Sequence, residues 1–309
     1  MYENPKVAVL LAAYNGAEWL DAQVSSILNQ ESISVTLFVS IDASDDGTEE
    51  WFTRHAKEDE RIRVLSINNS GAASQNFFRL IRDVDVGDFS YVCLSDQDDI
   101  WQPTKICRAV EQLEQHEADG YSSNILSFWS NGRTKLVVKS QRQNTKDYLL
   151  EAPGPGCTFV IKQSLFLGLQ RFAMSNKQQL SKIRFHDWFI YAYSRAFGYQ
   201  WRIDDAALMN YRQHETNEHG ANVGFKHKVK RARAVFGGYW FEQVLLTSSL
   251  LANKDPAAMH LKQLIQKGRW GFFQLALESH RYRRSRKEQL LLCMSCIGLA
   301  IVGFKNSDG

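Results

Sequence analysis

The sequence has no apolar run long enough to cross a bilayer. The uncharged stretch Leu290–Phe304 is fifteen residues and contains Gly298 and Gly303, short of the ~18 to 20 residues that a spanning helix requires. The opening Met1-Tyr2-Glu3-Asn4-Pro5-Lys6 lacks the basic and then apolar layout of a signal peptide, which predicts cytoplasmic residence. Cysteine is scarce and odd in number: Cys93, Cys107, Cys157, Cys293 and Cys296 do not suggest a disulfide framework. Cys293 and Cys296 make a C-x-x-C pair, but no second pair or nearby histidine completes a zinc site, so packed or lipid-facing thiols on a helix are expected. Neither G-x-G-x-x-G nor G-x-x-x-x-G-K-S/T occurs, which counts against the usual dinucleotide-binding fold and against a P-loop NTPase.

Net charge is close to zero, at +3 over 309 residues, yet it is unevenly spread. From Phe225 onward 15 Lys and Arg face 5 Asp and Glu, a balance of +10 that leaves −7 for residues 1–224. An acidic body and a basic tail are thus expected, as residues 1–224 and 225–309, and such a tail meets phosphates of nucleic acid or anionic lipid.

What the chain does have is strand and helix in alternation. Lys6–Ala13 is continuously apolar, as expected of a central parallel strand covered on both faces. Trp19, Leu20, Val24, Ile27 and Leu28 then recur at helical spacing. Val35–Ile41, Ile62–Ile67 and Phe89–Leu94 read as further strands, each followed by a helix. Four such repeats predict an α/β half with a largely parallel sheet and right-handed crossovers. Ile125–Trp129, Lys135–Lys139, Thr158–Ile161 and Gln200–Ile203 read as later strands, and Gln141–Leu150 as polar, exposed chain.

The densest chemistry is Ser95-Asp96-Gln97-Asp98-Asp99-Ile100-Trp101, three carboxylates in four residues at a strand's carboxyl end, where α/β sheets bind ligands. Such acids repel one another unless a cation neutralises them, and their oxygens suit Mg²⁺ or Mn²⁺. The alternative is an acidic loop capping the next helix, with Pro103 near its first turn. Asp42 also follows a strand directly, where it would meet a ribose or a base edge, or else cap a helix. Asn69 and Gly71 form a similar polar turn. His186-Asp187-Trp188 places an acid at a helix start, and Arg212 and His214 suit a diphosphate or a metal.

Taken together, the first half resembles an inverting glycosyltransferase of family 2 with the GT-A fold. The matching stretches are Ala13-Tyr14-Asn15-Gly16, Gln23–Gln30, Ile41–Thr48, Asn69-Ser70-Gly71 with Asn76-Phe77, and Ser95–Trp101. The form S-D-Q-D-D-x-W, with His186-Asp187-Trp188 and Tyr211-Arg212-Gln213-His214, further resembles the bacterial rhamnosyltransferase-like branch. The resemblance implies a Rossmann-like, mostly parallel sheet with flanking helices over residues 1–224, plus a C-terminal helical extension over 225–309. Within the first part, residues 1–118 would bind the nucleotide-sugar and 119–224 the acceptor. It implies a divalent cation at Asp96 and Asp98, and a donor held by Ala13, Tyr14, Asn15, Asp42, Asp45, Asn69, Gly71, Asn76, Asp96 and Gln97. Asp187 matches the family's base, though the pair here is His-Asp where many members have Glu-Asp. Asp99, Trp101, His186, Trp188, Arg212 and His214 would contact diphosphate, metal or acceptor. The donor implied is dTDP-rhamnose, with a UDP- or GDP-sugar as alternative, and the acceptor a lipid-linked glycan of bacterial surface polysaccharide.

The tail completes these expectations. Lys226, Lys228, Lys230, Arg231 and Arg233 open a basic helical region, and Arg281-Tyr282-Arg283-Arg284-Ser285-Arg286-Lys287 precedes Leu290–Phe304. This layout predicts a helix lying on an anionic membrane surface, peripheral to the inner membrane's cytoplasmic face, or else docked on the body. A non-enzymatic lipid- or nucleic-acid-binding protein would explain the tail but leave the acids unexplained, so no nucleic-acid partner is expected.

Overall fold

The computed structural model describes residues 4–67, 69, 71–214 and 239–303. The basic positions Lys226–Arg233 and the expected boundary near 224 lie outside them. The described residues form two compact units, one within the spans 1–140, 153–190 and 199–217, the other within 141–152, 191–198 and 218–309.

The first unit carries β1 (Lys6–Ala13), α1 (Leu20–Leu28), β2 (Ser34–Ile41), α2 (Thr48–Glu58), β3 (Ile62–Val64), α3 (Ala73–Asp83), β4 (Tyr91–Ser95), β5 (Ile100–Trp101) and α4 (Lys105–Gln115). It continues through β6 (Gly120–Ser123), β7 (Ile125–Trp129), β8 (Thr134–Val137), β9 (Val160–Lys162), α5 (Gln163–Ser175), α6 (Lys177–Leu180), the start of α7 (His186–Ala196), β10 (Trp201–Asp204) and β11 (Met209–Gln213). Seven strands form one sheet in the order β10-β6-β9-β4-β1-β2-β3, and β5-β11-β7-β8 form a second. The large sheet is parallel except for β9, which runs antiparallel between β4 and β6.

β1 is central because it is apolar after Lys6: Val7 through Leu11 are fully buried between helices on both faces. The chain passes from β1 to β2 and β3 on one side and returns to β4 on the other. That reversal opens a crevice at the carboxyl ends of β1, β2 and β4, the switch point where such sheets take ligands. The register sets those ends side by side, Ala13 opposite Ile41 and Leu11 opposite Ser95. Asn76 on α3 reinforces the alignment, donating from Nδ2 to the Ser40 carbonyl at 2.9 Å and to that of Ala13 at 3.4 Å.

The second unit holds α8 (Tyr239–Leu251), α9 (Pro256–Gln266), α10 (Arg269–Tyr282) and α11 (Arg286–Val302). Asp255 caps α9, with Pro256 at its first position. Among the described residues no helix is long and apolar enough to cross a membrane. Gln141–Leu150 is not exposed throughout: Asp147, Tyr148, Leu149 and Leu150 are buried. The reason is a buried ion cluster that local sequence does not show. Arg284 Nη1 lies 3.1 Å from Asp147 Oδ2 and Nη2 lies 3.0 Å from Glu151 Oε1, with the arginine side chain fully buried. Tyr191 donates to Asp147 Oδ2 at 3.1 Å, and Arg195 stands 3.5 Å from Oδ1. Burial holds the Asp147 carboxyl above its usual value, against the lowering pull of Arg284 and Arg195. Arg284, expected among the cations of a membrane-facing run, is therefore an interior residue.

Candidate active site

The loop after β1 is laced to the loop after β2. The Asn15 amide donates to Ser44 Oγ at 3.1 Å, and the Asp45 amide donates to Asn15 Oδ1 at 3.0 Å. Gly16 and Ala17 donate to Thr48 Oγ1 and Asp46 Oδ2, both at 2.9 Å. Asp42 sits buried at the root of this loop, its amide donating to the Ala13 carbonyl at 2.9 Å. The loop after β4 joins them through Gln97: its Oε1 accepts from the Tyr14 amide and its Nε2 donates to the Tyr14 carbonyl, each at 2.7 Å. A Cβ at Gly16 would lie 2.3 Å from Gln97 Oε1, so a larger residue there would displace the amide that braces Tyr14.

The acidic stretch is held from below by β11, which pairs with β5. The Arg212 amide donates to Asp99 Oδ1 at 3.1 Å, and its Nε donates to the Asp98 carbonyl at 2.8 Å. Next on the same strand end, His214 Nε2 lies 2.7 Å from Asp98 Oδ2, and its ring stacks on Trp19 with centroids 4.2 Å apart. A carboxylate oxygen and an imidazole nitrogen thus converge from chain segments 116 residues apart.

Beside them, one oxygen each of Asp96 and Asp99 and the sulfur of Cys157 lie within 4.8 Å of one another. Asp96 is half-buried, while Asp99 and Cys157 are interior. Burial, then repulsion from Asp98 and Asp96, holds the Asp99 carboxyl well above the usual carboxylate range, against the Arg212 amide and the Cys157 thiol. Burial, then the same two acids Asp96 and Asp99, raise the Cys157 thiol well above its ordinary value. Among the described residues Asp99 Oδ2 accepts no hydrogen bond from nitrogen or oxygen. Lys105, also interior, sets Nζ 3.5 Å from the centroid of the buried Trp101 ring. The Asp96 and Asp99 oxygens suit Mg²⁺ or Mn²⁺, with the Cys157 sulfur the third ligand atom within reach, and a divalent cation there would relieve the like-charge crowding around Asp99.

His186, Asp187 and Trp188 form the first turn of α7. The His186 ring stacks on Phe77 at 4.1 Å, and Asp187 Oδ1 accepts from the Trp188 amide at 2.7 Å. The turn Pro155–Thr158 connects this helix start to the acidic stretch: a Cβ on Gly156 would lie 2.8 Å from His186 Nε2 and 3.4 Å from Asp187 Cβ, and the next residue is Cys157. Trp188 is buried beneath. Asn69 and Gly71 are exposed on the loop after β3, Gly71 at φ +70°.

The structure thus gathers Ala13, Tyr14, Asn15, Asp42, Asp45, Asp96, Gln97, Asp98, Asp99, Trp101, Arg212 and His214 at one edge. Asn76 and Gln97 spend their amides on backbone groups and so shape the loops. Cys157, Lys105 and Trp19 were not singled out from the sequence. Trp19 belonged to an apolar helical pattern, and nothing local marks Cys157 or Lys105, whose neighbours are distant in the chain.

The chain belongs to glycosyl transferase family 2, whose family model, described as "Glycosyl transferase family 2", matches residues 8–180. Its fold is of the GT-A type, and the protein is a glycosyltransferase. Among similar proteins is the dTDP-rhamnosyl transferase RfbG of Shigella flexneri, 38% identical, with 93% of this chain and 99% of that one covered. The putative teichuronic acid biosynthesis glycosyltransferase TuaG of Bacillus subtilis is 32% identical over 51% of this chain and 62% of its own. Among solved structures, S. aureus TarS 1–349 in complex with UDP-GlcNAc aligns with a TM-score of 0.55 at 14% identity, covering 96% of this chain and 80% of that one, a likeness of fold.

Proposed function

We propose that this glycosyltransferase moves L-rhamnose from dTDP-rhamnose, with inversion, onto a lipid-linked glycan in the assembly of a bacterial surface polysaccharide such as O-antigen or capsule. The donor is supported by near full-length similarity to the Shigella flexneri dTDP-rhamnosyl transferase. The observations that carry the chemistry are the meeting of Asp98 with His214 and the convergence of Asp96 with Asp99, both within the acidic stretch after β4.

In this reading Asp42 and the 13–15 backbone receive the nucleoside, with Asp45, Asn69 and Gly71 bordering it. Asp96 and Asp98 hold Mg²⁺ or Mn²⁺, with His214 and Asp99 adjacent. Once bound, the cation neutralises charge building on the departing diphosphate. Arg212, its guanidinium 4.7 Å from the Phe128 ring centroid, and His214 add positive or hydrogen-bonding groups on the same side. Asp187 takes the proton from the attacking acceptor hydroxyl, general-base chemistry that needs one carboxylate within hydrogen-bond reach. A single displacement then inverts the anomeric centre without a carboxylate nucleophile. Residues 1–224 carry this work, and 225–309 bring the enzyme to the cytoplasmic face of the inner membrane, where a lipid-linked acceptor presents its sugar.

The test is calorimetric titration with dTDP-rhamnose, UDP-GlcNAc and GDP-mannose, with Mn²⁺ or Mg²⁺ present and then chelated. Selective, metal-dependent binding of dTDP-rhamnose that is lost in Asp98→Ala is the expected result. Selective binding of another nucleotide-sugar would discard rhamnose, and equal binding by Asp98→Ala would remove that acid from the site.

A further inference from the structure

Helices α10 and α11 pack on each other as a hairpin within the second unit. Arg269 Nη2, at the start of α10, donates to the Val302 carbonyl at the end of α11, so the two run antiparallel. Between them they bury Phe272, Leu275, Leu292, Cys296 and Leu299. Soluble helices normally turn polar residues away from such a seam. Here large apolar side chains recur on the outer side at helical spacing: Trp270, Phe273 and Leu277 on α10, and Leu290, Met294 and Ile301 on α11. Trp270 is 63% exposed, Leu277 67% and Ile301 71%. Each helix therefore carries an apolar strip along its exposed side, where isolated exposed residues would need no explanation.

The charges around the strips choose their occupant. Lys267 and Arg269 are exposed at one end, and Arg281, Arg286 and Lys287 at the other. Of the hairpin's acids, Glu278 pairs with Lys146 and His260 at 3.1 and 3.0 Å and with Arg281 at 3.7 Å, and Glu288 with Arg283 at 3.9 Å, so the cations outnumber them at both ends. A second copy of the chain laid face to face would bring basic ends against basic ends in either orientation. An anionic bilayer meets both ends favourably and receives the apolar side chains between them.

We propose that the α10–α11 hairpin is the membrane-docking face of this enzyme, lying in the plane of an anionic bilayer with Trp270, Leu277, Met294 and Ile301 inserted at the headgroup boundary. The inference rests on the proposed lipid-linked acceptor and assigns the surface that delivers the enzyme to it. It differs from docking by a terminal tail alone, since α10 carries one of the two strips.

The experiment is flotation of the full-length protein with vesicles of equal parts phosphatidylethanolamine and phosphatidylglycerol, beside vesicles of phosphatidylcholine. The wild type should float with the anionic vesicles. The variant Trp270→Ser/Leu277→Ser/Met294→Ser/Ile301→Ser should partition about tenfold less, while melting and binding dTDP-rhamnose as the wild type does. Unchanged flotation of that variant would overturn the proposal. So would a wild-type dimer in size-exclusion chromatography that the four substitutions convert to monomer, which would give the strips to a second copy. Flotation lost in the variant, from a parent protein that binds no dTDP-rhamnose, would uphold the docking face while refuting the donor.

Discussion

Replacing Arg284 with alanine tests whether a residue inside a basic, surface-like run is a structural ion. Its guanidinium is fully buried between Asp147 and Glu151 and also donates to the Ala152 carbonyl at 2.7 Å. Alanine would leave Asp147, itself without exposed side-chain surface, facing only Arg195 at 3.5 Å and the Tyr191 hydroxyl. Removing one partner of a buried pair costs about 3–5 kcal/mol, because the remaining charge stays desolvated. At roughly 2–4 °C per kcal/mol for 150–250 residues, the melting temperature should fall by on the order of 10 °C. Scanning calorimetry measures the fall, and a double-mutant cycle with Asp147→Ala should return a coupling above ~1 kcal/mol, as the second change removes the stranded acid. A melting temperature within about 2 °C of the wild type, together with loss of vesicle binding, would refute the reasoning and return Arg284 to the lipid-facing surface.

Two further expectations concern the catalytic unit. Asp187→Asn should lower kcat by ~10³-fold or more while leaving calorimetric binding of dTDP-rhamnose unchanged, since a base acts on the acceptor alone; turnover near the wild-type rate would remove Asp187 from the mechanism. Asp204 is a sign-definite pH probe: burial raises its pKa, but hydrogen bonds from Arg108 at 3.0 Å and Tyr121 at 3.0 Å, with the Arg108 charge, outweigh it and hold the carboxyl below its ordinary value. Because the native state then takes up this proton later than the unfolded chain, its stabilising contribution is complete above roughly pH 5 and drains as pH falls through the folded value. Asp204→Asn should therefore unfold in less urea at neutral pH and show a shallower loss of stability on acidification; an equally steep acid limb would show that Asp204 is not the group responsible.

The sheet was legible where one segment carries its own evidence. The run Lys6–Ala13 read as a central strand, and parallel neighbours then had to place the 14–16, 42–48 and 96–101 loops on one edge. Asp98 and His214 were each visible as candidates, but their contact was not, because periodicity reports which face a residue takes and nothing of its partner across 116 positions. The same limit hid Cys157 behind Asp96 and Asp99. It also misplaced Asp147 and Arg284, each of which looks solvent-exposed in its own neighbourhood and is interior only because the other is there.

The antiparallel β9 has a consequence for how the protein is made. Strand β4 leaves the ribosome with β1, β2 and β3 already synthesised, but its free edge is covered only when Lys162 emerges, 67 residues after Ser95. At ~5–20 residues per second that is an interval of roughly 3–13 s. Throughout it the nascent domain carries an unpaired, largely apolar strand edge beside the acidic loop, a template for pairing with another chain. Mutations that weaken β9 should therefore reduce the yield of enzyme more than the stability of the molecules that finish folding.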